Sequence, residues 1–237
     1  LLARNSALSG CRWQAIGVHP AAHSPAWSGV LFDLDGTLVD TIALIVASFD
    51  HALTSVVGAG RPEPEVRAWI GRRLGEVFAS EYPEQAQELE ATYVEWNRAQ
   101  APLLIRRYDG VEDLLRGLLD VHQRMGVVTS KRRGAAIQAL QIAGLDGLID
   151  IVAASEDTTA HKPEPAPLQH GAARLSVPIE QCVYVGDAVV DIEAARAAGM
   201  ASIAVTWGAG DPEALAVAGA DHLVESPAAL YALLLGR

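Results

Sequence analysis

Short runs of β-branched and apolar residues alternate with longer amphipathic stretches from Val30 onward, and this alternation restricts the possible folds most strongly. Such strand–helix units are typical of a parallel sheet that carries helices on its faces. The sequence predicts buried strands at residues 30–34, 125–129, 149–154, 182–186 and 202–206, with the sequences VLFDL, MGVVT, IDIVAA, CVYVG and SIAVT. The predicted fold class is therefore α/β.

The segments between these strands have helical periodicity. Apolar residues recur at helical spacing from Val111 to Leu119, which predicts one face packed on the sheet. A second helix is predicted over 135–143, with Ala136, Ile137 and Leu140 on its inner side and Gly144 as its C-terminal cap. Pro212 and Pro227 fit the first turn of two later helices.

Residues 42–104 interrupt the alternation, because they have helical patterns only. The helices predicted here have the sequences TIALIVASFDHALTSVV, EVRAWIGRRLGEVFASEY and PEQAQELEATYVEWNRAQ. A helical block inserted after the first strand is most simply a cap domain over the carboxyl ends of the strands, where open α/β sheets bind ligands. We therefore expect a catalytic core of residues 30–41 and 105–237 and a cap of residues 42–104, which pivots near 39–41 and 106–109.

Composition excludes several classes of protein. The chain has 237 residues, half of them hydrophobic, and a formal net charge of −11. This charge opposes binding to nucleic acid or to an anionic membrane surface. Cys11 and Cys182 form no metal-binding or disulfide pattern, so a cytoplasmic location is expected. Residues 1–29 are predicted to be a poorly ordered extension without a function of their own.

Polar residues gather where the predicted strands end. Asp33 and Asp35 follow the first strand, Thr129, Ser130 and Lys131 follow the second, and Lys162 precedes Pro163. Gly186, Asp187 and Asp191 end the strand CVYVG. A single Asp-Gly pair would usually be a turn, but parallel strands bring all of these groups to one edge. The sequence therefore predicts a site with four carboxylates, one hydroxyl and one lysine.

Four neighbouring carboxylates require a cation. Two like charges 4 Å apart cost about 4 kcal/mol at an effective dielectric constant of about 20, and several such pairs would rival a domain's stability of about 5–15 kcal/mol. Oxygen ligands without histidine or thiolate favour Mg²⁺. With such an ion, Asp33 can attack phosphorus and form an aspartyl phosphate. Asp35 can then serve as general acid and base, and Thr129 can bind a phosphoryl oxygen.

These motifs resemble those of the haloacid dehalogenase-like hydrolase superfamily. The resemblance rests on Asp33-x-Asp35-Gly36-Thr37, on Thr129, on Lys162-Pro163 and on Gly186-Asp187-x-x-x-Asp191. It implies a Rossmann-like, doubly wound core with an inserted helical cap and Mg²⁺-dependent phosphoryl transfer through Asp33. It also implies that the side chains of Asp33 and Asp187 and the backbone carbonyl of Asp35 hold the metal, with Asp191 supporting it directly or through water.

Finer similarity favours a phosphoglycolate phosphatase-like subgroup. The segments GRRLGEVF, YDGVEDLLRGL and HKPEPAPLQHGAARLSV resemble that subgroup and its pyrophosphatase relatives. Ser130 and Val190 depart from the family pattern, which often has asparagine at the first position and asparagine or aspartate at the second. Residues expected to contact the substrate are Gly36, Thr37, Ser130, Lys131, Arg72 and Arg73, although a solvated helix face is the alternative interpretation of the two arginines.

The function expected is that of a phosphatase acting on a small phosphorylated metabolite, with 2-phosphoglycolate as the leading substrate. Inorganic pyrophosphate or a nucleotide is an alternative substrate on the same core. A sugar phosphomutase is a second alternative, and a non-catalytic binding protein is a third. The protein is expected to be a monomer or a homodimer.

Overall fold

A computed structural model describes residues 26–236 of the chain. The prediction for residues 1–29 falls mostly outside this range. Within it, the Ala26 N–H donates a hydrogen bond to the Leu234 carbonyl at 3.0 Å, and Gly29 already belongs to the first strand. The ordered core therefore begins slightly before the predicted Val30.

A six-stranded parallel sheet forms the centre of the fold, with the strand order β5-β4-β1-β6-β7-β8. The strands of the chain are β1 (Gly29–Phe32), β2 (Val39–Asp40), β3 (Arg106–Arg107), β4 (Arg124–Val128), β5 (Ile151–Ala153), β6 (Cys182–Gly186), β7 (Ala201–Val205) and β8 (His222–Val224). The predicted strands correspond to β1, β4, β5, β6 and β7, and the α/β class is confirmed. β8 was not predicted because only two of its residues, Leu223 and Val224, are apolar and His222 and Glu225 flank them.

Helices cover both faces of this sheet. The helices of the core are α5 (Val111–Asp120), α6 (Arg133–Ala143), α7 (Ala166–Leu175), α8 (Val189–Ala198), α9 (Pro212–Val217) and α10 (Pro227–Leu234). α5, α6 and α10 pack against the face that contains Val30 and Phe32. α7 and α8 pack against the other face, which contains Leu31 and Tyr184. The sheet is therefore doubly wound.

Sequence patterns predicted the ends of these helices correctly but placed one side chain on the wrong face. Pro212 and Pro227 are first-turn residues, and Gly144 caps α6 at a φ of 68°. Ile137, however, is 44% exposed, and Ala136, Ala139 and Leu140 form the inner face of α6. The predicted inward position of Ile137 is wrong because the small alanines allow the helix to lie close to the sheet.

The helices between residues 42 and 104, which we call the helical insertion, have an apolar core of their own. They are α1 (Ile42–Val56), α2 (Glu63–Arg67), α3 (Leu74–Glu81) and α4 (Ala86–Leu104). Phe49 lies at the centre of this core, with ring centroids 4.9–5.3 Å from those of Trp69, Phe78 and Tyr93. The predicted helix over 65–82 is wrong in its middle, where residues 68–73 form a loop between α2 and α3. We call residues 68–73 the arginine loop.

A short two-stranded ribbon joins the helical insertion to the core. β2 leads into α1, β3 follows α4, and the two strands pair antiparallel with Val39 opposite Arg107 and Asp40 opposite Arg106. Both connections therefore leave the core side by side, at the carboxyl-terminal edge of β1. Within residues 26–236, every helix falls short of the length or apolarity that a bilayer crossing needs.

Candidate active site

The register of the sheet brings the predicted strand-end residues together. Phe32, the last residue of β1, pairs with Val127 of β4 on one side and Val185 of β6 on the other. Asp33 comes directly after Phe32, and Thr129 and Asp187 follow two residues after those partners. All three side chains therefore lie at one edge of the sheet, and each is less than 5% exposed.

Three carboxylates form a buried cluster at this edge. One oxygen from each of Asp33, Asp187 and Asp191 lies within 4.8 Å of the others. Asp191 occupies the first turn of α8, where its Oδ2 accepts a hydrogen bond from the Ala188 N–H at 3.0 Å. The helix start thus directs the carboxylate of Asp191 back toward the end of β6.

Lys162 is the cation inside this cluster. Its Nζ lies 2.9 Å from Asp33 Oδ1 and 2.6 Å from Asp191 Oδ1, and only 2% of the residue is exposed. The Tyr184 hydroxyl accepts a further hydrogen bond from Nζ at 3.1 Å and donates to the Val128 carbonyl at 2.8 Å. All three partners of Lys162 are therefore fixed on the core.

Asp187 is held in a narrow space. Its two oxygens accept hydrogen bonds from Thr37 Oγ1 at 3.2 Å and from the Ala209 N–H at 2.7 Å. Gly36, at a φ of 80°, lies so close that an added Cβ would fall 2.1 Å from Asp187 Oδ2. Gly36 and Thr37 therefore position the Asp187 carboxylate directly, rather than only lining a substrate pocket.

The cluster contains more negative charge than Lys162 balances. Burial raises the pKa of Asp33 to about 7 against the attraction of Lys162, and Asp191 and Asp35 add repulsion in the same direction. Burial, followed by repulsion from Asp191 and Asp33, also raises the pKa of Asp187 well above its usual value. Burial alone would lower the pKa of Lys162, but the attraction of Asp191 and Asp33 outweighs it.

The donor set fits a hard divalent cation. The three clustered carboxylates supply oxygen ligands only, which suits Mg²⁺. Asp33 Oδ2 is buried and has no hydrogen-bond partner among the described residues. A buried carboxylate oxygen without a partner is costly. An added cation would remove that cost.

The side chain of Asp35 lies outside the carboxylate cluster. We expected four carboxylates to meet after a strand over 30–34, but β1 already ends at Phe32. Both oxygens of Asp35 instead accept hydrogen bonds from Lys131 Nζ, at 2.9 and 3.1 Å, and Oδ1 also accepts one from Thr41 Oγ1 at 2.6 Å. Lys131 is therefore a partner of Asp35 in this arrangement.

The residues after β4 have different partners. Thr129 Oγ1 accepts a hydrogen bond from the Lys131 N–H at 3.1 Å, so its own proton can still be donated into the site. Ser130 Oγ donates to the carbonyl of Gly71, in the arginine loop, at 2.7 Å. Ser130, predicted as a substrate contact, lines the cavity described below, but its hydroxyl proton is donated to the helical insertion.

A cavity of about 470 Å³ lies between the core and the helical insertion. Its core side includes Asp33, Asp35 and Thr129, and its other side includes Arg72 and Arg73. Arg72 and Arg73 lie in a loop rather than on a helix face, and both line the cavity, while Arg73 is also exposed to solvent. Further lining residues from the insertion are Ile45, Phe49, Trp69, Tyr93, Asn97 and Arg98.

Several groups at the site were not found from the sequence. Tyr184 supports Lys162, Thr41 supports Asp35, and the Ala209 N–H supports Asp187. A tyrosine in a buried strand needs a hydrogen-bond partner, so Tyr184 carried a usable signal. A backbone N–H donor such as that of Ala209 has no residue-specific signal.

The chain is similar to known proteins in sequence. Residues 30–205 match the family model for haloacid dehalogenase-like hydrolases. The chain belongs to this family. Among its relatives in the family, the pyrophosphatase PpaX of Bacillus pumilus is 32% identical over 205 residues, which cover 86% of this chain and 95% of the relative. The corresponding pyrophosphatase of Anoxybacillus flavithermus is 33% identical, with the same coverage.

Solved structures of the family agree in fold. A protein described as a predicted phosphatase from Clostridium acetobutylicum is 28% identical and superposes with a TM-score of 0.80, covering 89% of this chain and 99% of its own. A hydrolase from Pseudomonas syringae is 27% identical, with a TM-score of 0.77 and coverage of 86% and 95%. The family resemblance seen in the sequence is therefore confirmed.

Proposed function

We propose that the chain is a Mg²⁺-dependent phosphatase that acts on a small phosphorylated metabolite through an aspartyl phosphate at Asp33. The observation that carries this proposal is the position of Asp33, which lines the 470 Å³ cavity, belongs to the cluster with Asp187 and Asp191, and has its Oδ1 held by Lys162. A carboxylate anchored in this way at the wall of a cavity is positioned for attack on a substrate bound there.

Asp33, Asp187 and Asp191 would hold the metal ion, which would offset the charge of the phosphate. An Asp33 oxygen attacks phosphorus, the bond to the leaving oxygen breaks, and Asp35 gives that oxygen a proton. A water molecule then attacks the aspartyl phosphate, Asp35 takes its proton, and inorganic phosphate leaves with Asp33 restored. The ion pair with Lys131 suits the second step, in which Asp35 acts as an ionised base.

The cavity supports a phosphate ester over a bare inorganic substrate. Its volume of about 470 Å³ lies in the range of pockets that hold organic ligands, and inorganic pyrophosphate would fill only a small part of it. Arg72 and Arg73 would meet a second anionic group on the substrate. The arginines therefore favour an ester with a second anionic group, and the volume favours one larger than 2-phosphoglycolate, which is about the same size as pyrophosphate.

Pyrophosphate remains the second candidate, and its support is the pyrophosphatase name of relatives that are 32–33% identical over most of the chain. Arg72 and Arg73 would serve a second phosphoryl group equally well. A phosphomutase is a third candidate, since it would use the same carboxylates and would return the phosphoryl group to the sugar.

Phosphate release from a panel of compounds tests these candidates. The panel contains 2-phosphoglycolate, pyrophosphate, a nucleoside monophosphate, a hexose phosphate and an aryl phosphate, each with Mg²⁺ and with a chelator. We expect Mg²⁺-dependent release from the esters and covalent labelling by radioactive phosphate after acid quenching, with neither in Asp33→Asn. Metal-independent release, or labelling that survives in Asp33→Asn, would overturn the proposal.

A further inference from the structure

Ser130 links the core to the helical insertion. Its Oγ donates a hydrogen bond of 2.7 Å to the Gly71 carbonyl, 59 residues away in the sequence. Ser130 directly follows Thr129, at the end of β4, and Gly71 lies in the middle of the arginine loop. The hydrogen bond therefore ties the loop after β4 to the loop that carries Arg72 and Arg73.

Gly71 also rests on the start of α8. It has a φ of 90°, and a Cβ added to it would lie 2.9 Å from Ala188 Cβ and 3.0 Å from Val190 Cγ2. Both the backbone conformation and the lack of space therefore require glycine. Ala188 and Val190 lie between Asp187 and Asp191 in the sequence. The arginine loop is thus seated on the elements that present the clustered carboxylates.

The two departures from the family pattern meet at this glycine. Ser130 and Val190 are far apart in sequence, yet the first donates to the Gly71 carbonyl and the second occupies the space where a Gly71 side chain would begin. Neither side chain lies among the clustered carboxylates. Their shared contact gives both residues one role, which is to seat the arginine loop.

The seated loop presents two cations to the cavity. Arg72 and Arg73 directly follow Gly71 and line the cavity together with Asp33. Among residues 26–236, neither guanidinium has a hydrogen-bond or ion-pair partner, so both can bind an anion. Arg73 also lies near His161, whose pKa is lowered by burial and then by Arg73.

We propose that Ser130 is a positioning residue for substrate selection, which fixes Arg72 and Arg73 through Gly71 rather than touching the substrate. This proposal rests on the phosphatase function proposed above. It requires that losing the Ser130 hydroxyl weakens binding of substrates with a second anionic group. Substrates that carry only the reacting phosphate should not be affected.

Steady-state kinetics of Ser130→Ala and the matched control Ser130→Thr test the proposal, with 2-phosphoglycolate, pyrophosphate and phenyl phosphate as substrates. Ser130→Ala should raise KM by roughly 2- to 10-fold for whichever of the first two compounds is turned over. It should leave kcat, and KM for phenyl phosphate, nearly unchanged. Ser130→Thr keeps a hydroxyl and should restore most of the lost discrimination.

A double-mutant cycle separates positioning from direct contact. In an Arg72→Gln/Arg73→Gln background, Ser130→Ala should cause no further change, since Ser130 acts through those side chains. An equal loss for all three substrates, or a loss that persists in that background, would show that Ser130 binds the reacting phosphate itself. Unchanged kinetics would also overturn the proposal.

Amide hydrogen exchange tests the positioning role of Ser130 independently of the proposed phosphatase function. Ser130→Ala should increase amide exchange in residues 68–73 relative to the wild type and Ser130→Thr, whether or not any compound is hydrolysed. If no ester is hydrolysed but this increase appears, the proposed function fails and the positioning role of Ser130 stands. If exchange is unchanged in Ser130→Ala, the positioning role fails.

Discussion

At the scale of single residues, the site depends on Lys162, whose ammonium group lies between the buried carboxylates of Asp33 and Asp191. The Asp33–Lys162–Asp191 contacts join three side chains that are all nearly inaccessible to water. Buried ion pairs are most costly when one partner is removed, because the remaining charge stays desolvated. Lys162 should therefore matter to stability as well as to catalysis.

Replacing Lys162 by methionine tests that dependence. Lys162→Met should lower the free energy of unfolding by about 3–5 kcal/mol, because Asp33 and Asp191 lose their shared cation. Urea unfolding measures the change. As a control, Arg67→Gln breaks the exposed Arg67–Glu63 pair and should cost less than about 1 kcal/mol. Equal effects would contradict the role assigned to Lys162.

Replacing Asp33 by asparagine should separate activity from stability. Asp33→Asn should reduce phosphate release by at least about 10³-fold, because the nucleophile is lost. In metal-free protein above about pH 7, where Asp33 is ionised, the same change should raise the melting temperature, since one of the mutually repelling carboxylates becomes neutral. Differential scanning calorimetry with a chelator present measures this, and a lower melting temperature would contradict the excess negative charge inferred here.

Sequence reasoning could predict that Asp33, Thr129 and Asp187 lie together, because all three follow neighbouring parallel strands. It could not predict the partner of Asp35, since that depends on where β1 stops, and a hydrophobic pattern does not fix a strand end to one residue. It could not predict the partner of Ser130 either, since a hydroxyl that bonds a backbone carbonyl 59 residues away has no local signal.

At the scale of elements, the break between α2 and α3 is the feature that shapes the cavity. The apolar periodicity of residues 65–82 is helical, but Gly71 adopts a positive φ and docks on α8. Tertiary contact therefore overrides local propensity here. The glycine within the predicted helix was the available warning.

Replacing Gly71 by alanine should displace the arginine loop. Gly71→Ala adds both backbone strain and contact with Ala188 and Val190, and should raise KM for an anionic substrate by roughly 10-fold or more. Gly58→Ala is a matched control, because Gly58 has a φ of 84° but no atom of residues 26–236 lies within 4 Å of an added Cβ. If both variants raise KM equally, strain alone explains the effect.

At the scale of the whole molecule, buried acidity links stability to pH and to metal binding. Burial raises the pKa of Asp33 from 3.8 to about 7, so between these values the native protein keeps a proton that the unfolded chain has released. The free energy of unfolding of the metal-free protein should therefore fall as pH rises through this window. Asp187 acts in the same direction.

Mg²⁺ should restore the free energy of unfolding that the metal-free protein loses as pH rises. Cations compete with protons for the carboxylates, so the rise in melting temperature caused by Mg²⁺ should be larger near pH 8 than near pH 5. Thermal unfolding over a pH series measures it, and Asp33→Asn should flatten the dependence. A Mg²⁺ effect that is the same at every pH would contradict the assignment of these carboxylates as ligands.

The doubly wound sheet was predictable as a whole because each strand is a short apolar run of three to five residues between helices. The strand order and the contacts between the helical insertion and the core were not predictable, since both depend on segments that are distant in sequence. Gly71 on α8 and Ser130 on Gly71 are such contacts.

The pairing of Val39 with Arg107 has an evolutionary consequence. The chain leaves the core at β2 and returns at β3, and these two strands are adjacent. The sixty or so residues between them can therefore be replaced by a segment of different size without a change in the strand order of the sheet. Selectivity can then diversify while the hydrolytic machinery stays unaltered. A chimaera that carries the insertion of another family member between β2 and β3 should keep the reaction of this core. It should acquire the leaving-group preference of the protein that supplied the insertion.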